Sequence, residues 1–460
     1  MEPTDLAFAG LARQAELIRE REVSPRETVE VALARIDRID RRLRSFRVVM
    51  AERALAEAEQ AAARLEAGDE RPLLGVPVAI KDDVDVAGEV TAYGSAAHDP
   101  VPRLEDAEVV RRLRAAGAIV VGKTNVPELT IFPFTESAAF GVTRNPWDDS
   151  RSPGGSSGGS GAAVAAGLVP AALGSDGAGS VRIPAACCGL FGLKPQRDRI
   201  PLAPKVEGWH GLNHLGPLAR SVADAALFLD VTADAPAGVR YADAARTPPG
   251  RLRIAAARNL PVPGPVASEP VRAYEEAIEL LRGLGHEVVE RDLDWGPAFI
   301  HVVARYLRGI HDDGVAMGDR RRLERRTRGM MRLGSLVPPA GLAKLRAQEA
   351  SLAERVNSSW ADCDALLQPG LARLPLEIEQ FEGRGAAWTL NGAAQLTPWT
   401  GLWNVTGQPA AAIPMGTAAG GLPLAVQLVA RRDGEAGLLS LAGQIEAERP
   451  WADRRPALAG

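Results

Sequence analysis

Three side chains have the types and settings that acyl-transfer chemistry needs. Lys81 ends the apolar run Val76–Ile80, Ser156 lies in the Gly/Ser-rich stretch SRSPGGSSGGSGAAVAAG (150–167), and Ser180 sits in a second Gly-rich turn, GSDGAGSVRIP (174–184). A serine hydroxyl is a poor nucleophile until a base takes its proton. No histidine falls inside these segments. A lysine can serve only as the uncharged amine, and burial against apolar neighbours such as Val78 and Ile80 pushes its pKa down from about 10.4 in that direction.

Other readings of the Gly/Ser stretch fail on context. A flexible linker should separate two compositional regimes. This one runs straight into GAAVAAGLVPAALG, an Ala-rich helix and strand that must be buried. A phosphate-binding loop would continue as GK[ST], which is missing here. Gly155-Ser156-Ser157-Gly158-Gly159 formally matches the nucleophile elbow G-x-S-x-G, but that motif follows a buried strand, whereas RNPWDDSRSP is polar and carries two prolines. Lys123, in GKTN, reads as a structural lysine, and Cys188 as an inert core thiol.

The elements that must position these groups alternate between helix and strand. LLGVPVAIKDDVDVAG is short, β-branched and bounded by glycine, which predicts a strand ending at the lysine. EVVRRLRAAGAIVVGKTN reads as a helix followed by a buried strand, and further strands are predicted at LRIAAA (252–257) and at 422–430, where Leu424, Val426 and Leu428 share a face. The alternation argues for an α/β layered core that draws on both ends of the chain. The first 68 residues read as helices: Ser24-Pro25-Arg26-Glu27 is a capping box, and Val29, Leu33, Ile36 and Ile39 form one buried stripe. Residues 236–365 are more helical and charged, and the run DRRRLERRTRGMMR (319–332) mixes acids with arginines at helical spacing, as a solvated helix face does.

Composition narrows the function classes. The 460 residues are 46% hydrophobic, enough for a sizeable core, and the net charge of -4 gives no reason to expect a nucleic-acid or membrane-surface partner. Three cysteines, two of them adjacent, supply neither a disulfide framework nor spaced metal ligands. The N-terminus has charges every few residues and no uninterrupted apolar segment. A soluble cytoplasmic protein acting on small neutral molecules is the expectation.

The sequence resembles the amidase signature family, whose hallmark is a Ser-Ser-Lys triad on a Gly/Ser-rich core. The matching motifs are GVPVAIKDDVDVAG, GAIVVGKTNVPEL, TRNPWD, SPGGSSGGSGAAVAAGLVPAALGSDGAGSVRIPAACCGLFGLKP, GPLARSVADAALFL and NVTGQPAAAIP, in the family's order from about Leu73 to near the C-terminus. The resemblance implies an α/β fold with a large mixed β-sheet covered by helices on both faces. It divides the chain into an N-terminal helical segment (1–68) packed on an amidase signature domain (69–460), with a variable region at about 236–365.

It also implies roles. Lys81 accepts a proton from Ser156, which follows a cis peptide after Gly155; Ser156 accepts one from Ser180; and Ser180 attacks the carbonyl. Backbone N–H groups of Gly177, Ala178, Gly179 and Ser180 form the oxyanion hole, and Ser157, Asp176 and Arg182 support it. No metal or organic cofactor is implied. Ala178 stands where relatives commonly have glycine, which adds a methyl beside the hole. Candidate substrate-binding residues are Ile131, Phe132, Phe134, Trp209 and Trp399, which favour a neutral aryl or alkyl amide; esters and carbamates, and hence a urethanase role, fall within the same chemistry. The state expected is a monomer or homodimer. Two rivals remain: a glutamine-hydrolysing subunit of a tRNA-dependent amidotransferase, disfavoured because Ile183 stands where such subunits commonly have Gln, and a non-catalytic binding relative, disfavoured by the retained triad.

Overall fold

A computed structural model describes residues 1–459. In chain order its strands are β1 (Phe46–Val49), β2 (Pro77–Lys81), β3 (Ile119–Thr124), β4 (Glu136–Ser137), β5 (Gly141–Val142), β6 (Ala171–Asp176), β7 (Phe191–Lys194), β8 (His214–Ala219), β9 (Arg253–Ala256), β10 (Glu287–Glu290), β11 (Ala365–Pro369), β12 (Ala410–Thr417) and β13 (Pro423–Val429). Except for the β4–β5 hairpin they form one 11-stranded sheet in the order β1-β3-β2-β6-β8-β7-β12-β13-β11-β9-β10. The sheet is mixed. Parallel pairs β3–β2–β6 at one end and β11–β9–β10 at the other flank a central antiparallel block.

Because successive strand residues point to opposite faces, each strand feeds two apolar layers. Val78, Ile80 and Leu173 enter one core cluster, Ala79 and Ala172 the other. Leu424, Val426 and Leu428 of β13 share a layer, as their alternation predicts. A sheet buried on both faces must carry helices on both, and the short strand runs read as nearly continuous apolar sequence for that reason.

The N-terminal segment is not purely helical. Its capping box is formed, with Glu27 N–H donating to Ser24 Oγ (3.1 Å) and Ser24 N–H to Glu27 Oε2 (2.7 Å), and it starts the helix Pro25–Arg35. Ile36 and Ile39 lie on the π-helical turn that follows. Phe46–Val49, however, extends the sheet as an antiparallel edge strand on β3. Among the described residues, no helix is long and apolar enough to cross a membrane.

The Gly/Ser stretch is interior structure. Every residue from Ser152 to Gly167 is buried, and the helix Gly158–Ala165 begins directly after Ser157. Gly159 shows why the stretch is built of the smallest side chains: a Cβ there would stand 2.5 Å from Asn125 N and Ser45 O, backbone atoms that have no way to yield. Small residues let this helix come against the backbone of neighbouring segments, which fixes the loop carrying Ser156 relative to the sheet.

Candidate active site

The predicted residues converge where β2 and β6, which are adjacent and parallel, both end. Lys81 is the last residue of β2, and Ser175 and Asp176 close β6. Lys81 is fully buried, Ser156 is 1% exposed, and Ser180, partly exposed, lines a cavity. Lys81 Nζ lies 2.8 Å from Ser156 Oγ. The same nitrogen meets Ser175 Oγ at 2.7 Å and Ser175 O at 3.2 Å, and Ser175 Oγ donates to Asp83 Oδ2 at 2.5 Å. Burial pushes the Lys81 amine below its ordinary pKa, against the opposing pull of the Asp83 and Asp176 carboxylates.

The link from Ser156 to Ser180 is open. Among the described residues, Ser180 Oγ has no hydrogen-bond partner. Its backbone is nevertheless tied to the Ser156 loop, because Ser157 N–H donates to Ser180 O at 3.2 Å. Ser157 Oγ donates to Ser175 O at 3.1 Å and accepts from Ser175 N–H at 3.3 Å, which holds the loop against the end of β6. The Gly155–Ser156 peptide is cis.

Asp176 and Arg182 brace the turn between them. Arg182 Nε donates to Asp176 Oδ2 and its Nη2 to Oδ1, each at 3.0 Å, with both side chains out of solvent. Burial alone would raise the Asp176 carboxyl, but the guanidinium and the hydrogen bonds from Arg182 and Asn404 hold it well below the usual carboxylate range. Arg182 also donates to Gln427 Oε1 and Asn404 Oδ1, each at 2.7 Å, so every arm of the fork has a partner. This network binds β6, β13 and the helix Leu402–Val405 to the turn.

The turn itself departs from the four-donor expectation. Gly179 N–H donates to Asp176 Oδ1 at 2.6 Å and is already committed. Among the described residues, the N–H groups of Gly177, Ala178 and Ser180 take no protein acceptor. Gly179 has φ +123°, and a Cβ there would lie 2.7 Å from Thr400 Oγ1, so only glycine suits this place. Thr400 in turn donates to Ala178 O at 2.6 Å and fixes that peptide of the turn.

The cavity has a volume of about 470 Å³. Ala178, Ser180 and Ile183 form one wall, and Ile131 and Phe132 stand in another. Phe134, Trp209 and Trp399 are not in its wall. Phe134 stacks beneath Phe132 (centroids 5.1 Å apart) and against Phe381. Trp209 donates from Nε1 to Asp313 Oδ2 at 2.6 Å and meets Tyr306, which does line the cavity, edge to face. Trp399 donates to Asn259 O at 3.2 Å and is buried. In each case a polar or stacking partner holds the ring a layer behind. Arg326, from the run read as a solvated face, is instead tucked over the Phe132 and Phe134 rings at 5.4 and 5.2 Å, with Glu324 beside it.

Much of the wall comes from segments that the sequence left without a role: the proline-rich loop Leu260–Pro265, the helix Ala298–Ala316 through Val302 and Tyr306, and residues around Leu390 and Leu402. Among the described residues, no lysine, arginine, aspartate or glutamate lines the cavity. Lys123 stands apart from it, bound to Asp82 Oδ1 (3.0 Å) and Thr91 Oγ1 (2.8 Å). Burial pushes the Cys187 thiol up to about 12, and burial, with Cys187 beside it, raises that of Cys188 well above its ordinary value, so neither supplies a thiolate.

Comparison with known proteins identifies the family. The amidase family model matches residues 27–439. The protein named "Putative amidase AmiB2" of Mycobacterium tuberculosis is 55% identical over 463 residues, covering 100% of both chains. The 6-aminohexanoate-cyclic-dimer hydrolase of Paenarthrobacter ureafaciens is 36% identical, covering 97% of this chain and 96% of its own. A solved structure of 6-aminohexanoate cyclic dimer hydrolase superposes with a TM-score of 0.91 at 34% identity, covering 99% of this chain and 100% of the other. Match, fold and site motifs together make this chain a member of the amidase family, the amidase signature enzymes.

Proposed function

We propose that the protein hydrolyses a carboxylic amide of a neutral, largely apolar substrate through an acyl-enzyme on Ser180, with Ser156 as proton relay and Lys81 as base. The observation that carries this reading is the 2.8 Å contact between a fully buried lysine amine and the Ser156 hydroxyl, on a loop hydrogen-bonded to a serine that lines an uncharged cavity. Uncharged Lys81 takes the Ser156 proton as Ser156 takes that of Ser180. Ser180 Oγ then adds to the carbonyl carbon, and the substrate closes the open Ser156–Ser180 link by bringing the two hydroxyls together.

The three uncommitted amides, Gly177, Ala178 and Ser180, are the donors for the tetrahedral oxyanion. A preorganised donor of this kind is worth roughly 2.7–4 kcal/mol of barrier. Ser156 returns its proton to the leaving nitrogen as the C–N bond breaks. Water then attacks the ester through the same relay, Ser180 recovers its proton, and the acid is released.

An apolar wall selects by exclusion. A charged group in the cavity would lose its hydration and find no counter-charge, so neutral aryl and alkyl amides are favoured. Ile183 in that wall offers no polar atom to a glutamine side chain, which weighs against the amidotransferase reading. The likeness to a cyclic-dimer hydrolase adds cyclic amides to the candidates.

Turnover by the purified protein of a panel of anilides, alkyl amides, cyclic amides, carbamates, esters and glutamine tests the reading. The expected result is hydrolysis of neutral apolar amides without added partners. Activity on glutamine alone, or no turnover of any compound, would overturn it. The pH dependence adds a second check. Burial lowers the lysine pKa, so the reactive amine is present at lower pH than in a solvated lysine. The rate is therefore expected to rise with pH along a limb whose midpoint lies below the ordinary value of 10.5. A midpoint at or above that value would contradict the role given to Lys81.

A further inference from the structure

Lys81 has three neighbours within hydrogen-bond reach, and their chemistry is not equivalent. Ser175 O is a carbonyl and can only accept. Ser175 Oγ has one proton, and that proton goes to Asp83 Oδ2, so toward Lys81 it too can only accept. An uncharged amine has two N–H bonds and one lone pair. If Ser175 takes both N–H bonds, the lone pair is left for the third neighbour, the Ser156 hydroxyl.

Asp83 is the piece that makes this choice. Its side chain is 8% exposed, and its Oδ1 is buried without a hydrogen-bond partner. A carboxylate held in that state is costly for stability, and each such group calls for a reason. The charges around it are few. Lys81 Nζ is 3.6 Å from Asp83 Oδ2; Lys205 Nζ reaches Asp83 O at 3.4 Å and sits over the Tyr93 ring; the Asp313 carboxyl feels the charges of Asp83 and Lys205, and the Asp176 carboxylate acts on Lys81.

We propose that Ser175 and Asp83 are positioning residues for the reaction: Asp83 orients the Ser175 hydroxyl, and Ser175 in turn occupies both N–H bonds of uncharged Lys81, so that its lone pair points at Ser156. The inference rests on the reading of Lys81 as the base, and it adds an opposing effect. A carboxylate this close also favours the charged amine, so Asp83 trades some reactive base at low pH for a correctly aimed one.

Labelling of Ser180 by a fluorophosphonate probe, followed against pH, tests the proposal without knowledge of the substrate. Asp83→Asn keeps the volume and removes the charge. Its labelling rate is expected to keep a sigmoidal pH profile with the acid limb moved about 1–3 pH units lower. Ser175→Ala is expected to lower the plateau rate about 10- to 100-fold by freeing the amine to turn, with Ser175→Thr recovering most of the loss. Circular dichroism reports whether each variant is folded, and Ser175→Cys replaces Ser175→Ala if the latter is not. An acid limb unmoved in folded Asp83→Asn, or a plateau unchanged on losing the Ser175 hydroxyl, would overturn the proposal. Wild-type protein that is never labelled at Ser180 would instead overturn the Lys81–Ser156–Ser180 reading itself.

Discussion

Replacing Ser180 with alanine is expected to lower kcat by about a million-fold on whichever amide proves to be turned over, with little change in folding or in substrate affinity. The size follows from the role proposed for Ser180: removing a nucleophile leaves only the cavity and the backbone donors, and a serine-hydrolase nucleophile lost alone costs on that order. Ser180 has no side-chain hydrogen bond to lose among the described residues, so stability should hold. Lys81→Met, which keeps the chain length and removes the amine, should cost nearly as much. In the proposed relay the three groups act as one unit, so the double variant should be scarcely worse than either single one. Additive losses in steady-state kinetics would mean that lysine and serine contribute separately and would break the relay apart.

The second large effect concerns stability. Arg182→Met is expected to destabilise the protein by about 3–5 kcal/mol, because it leaves the fully buried Asp176 carboxylate without its counter-charge and strips donors from Asn404, Gln427 and Thr400 O. Urea unfolding measures this. The loss should be greatest at neutral pH. In the wild-type protein the Asp176 pKa is depressed below its unfolded value, so its contribution is present above the unfolded pKa and disappears as pH falls through the folded one. The variant lacks that contribution, so the gap between the two proteins should narrow in acid. A gap that does not change with pH would point to lost packing rather than lost charge.

The sequence motifs were legible where chemistry and chain geometry coincide locally. The Ser24 capping box, β13 with its alternating Leu424, Val426 and Leu428, and the buried run into Gly158–Ala165 are each set by neighbours a few residues away. The placement of Lys81 and Ser156 together, and of Asp176 against Arg182, accords with the motifs that carry the resemblance. What stayed hidden depends on distant contacts. Phe46–Val49 is a four-residue edge strand with an arginine in it, too short and irregular to show a period of two, and it is a strand because β3 offers it an edge. Which aromatics face the cavity is decided by partners far along the chain: Asn259 for Trp399, Asp313 for Trp209 and Phe381 for Phe134. Ser175 and Asp83 lie within the motifs, but nothing in GSDGAGS or KDD says that two residues 92 apart are hydrogen-bonded. Gly179, one of the four oxyanion donors that the resemblance implies, gives its N–H to Asp176 instead.

The most direct measurement is mass spectrometry of the intact protein and its peptides after rapid acid quench of a reaction with a reactive apolar ester or anilide. The account predicts an added acyl mass on the peptide carrying Ser180, absent from Ser180→Ala and formed faster as pH rises. Turnover with no such adduct on Ser180, or with the acyl group found on another residue such as Ser156, would contradict it.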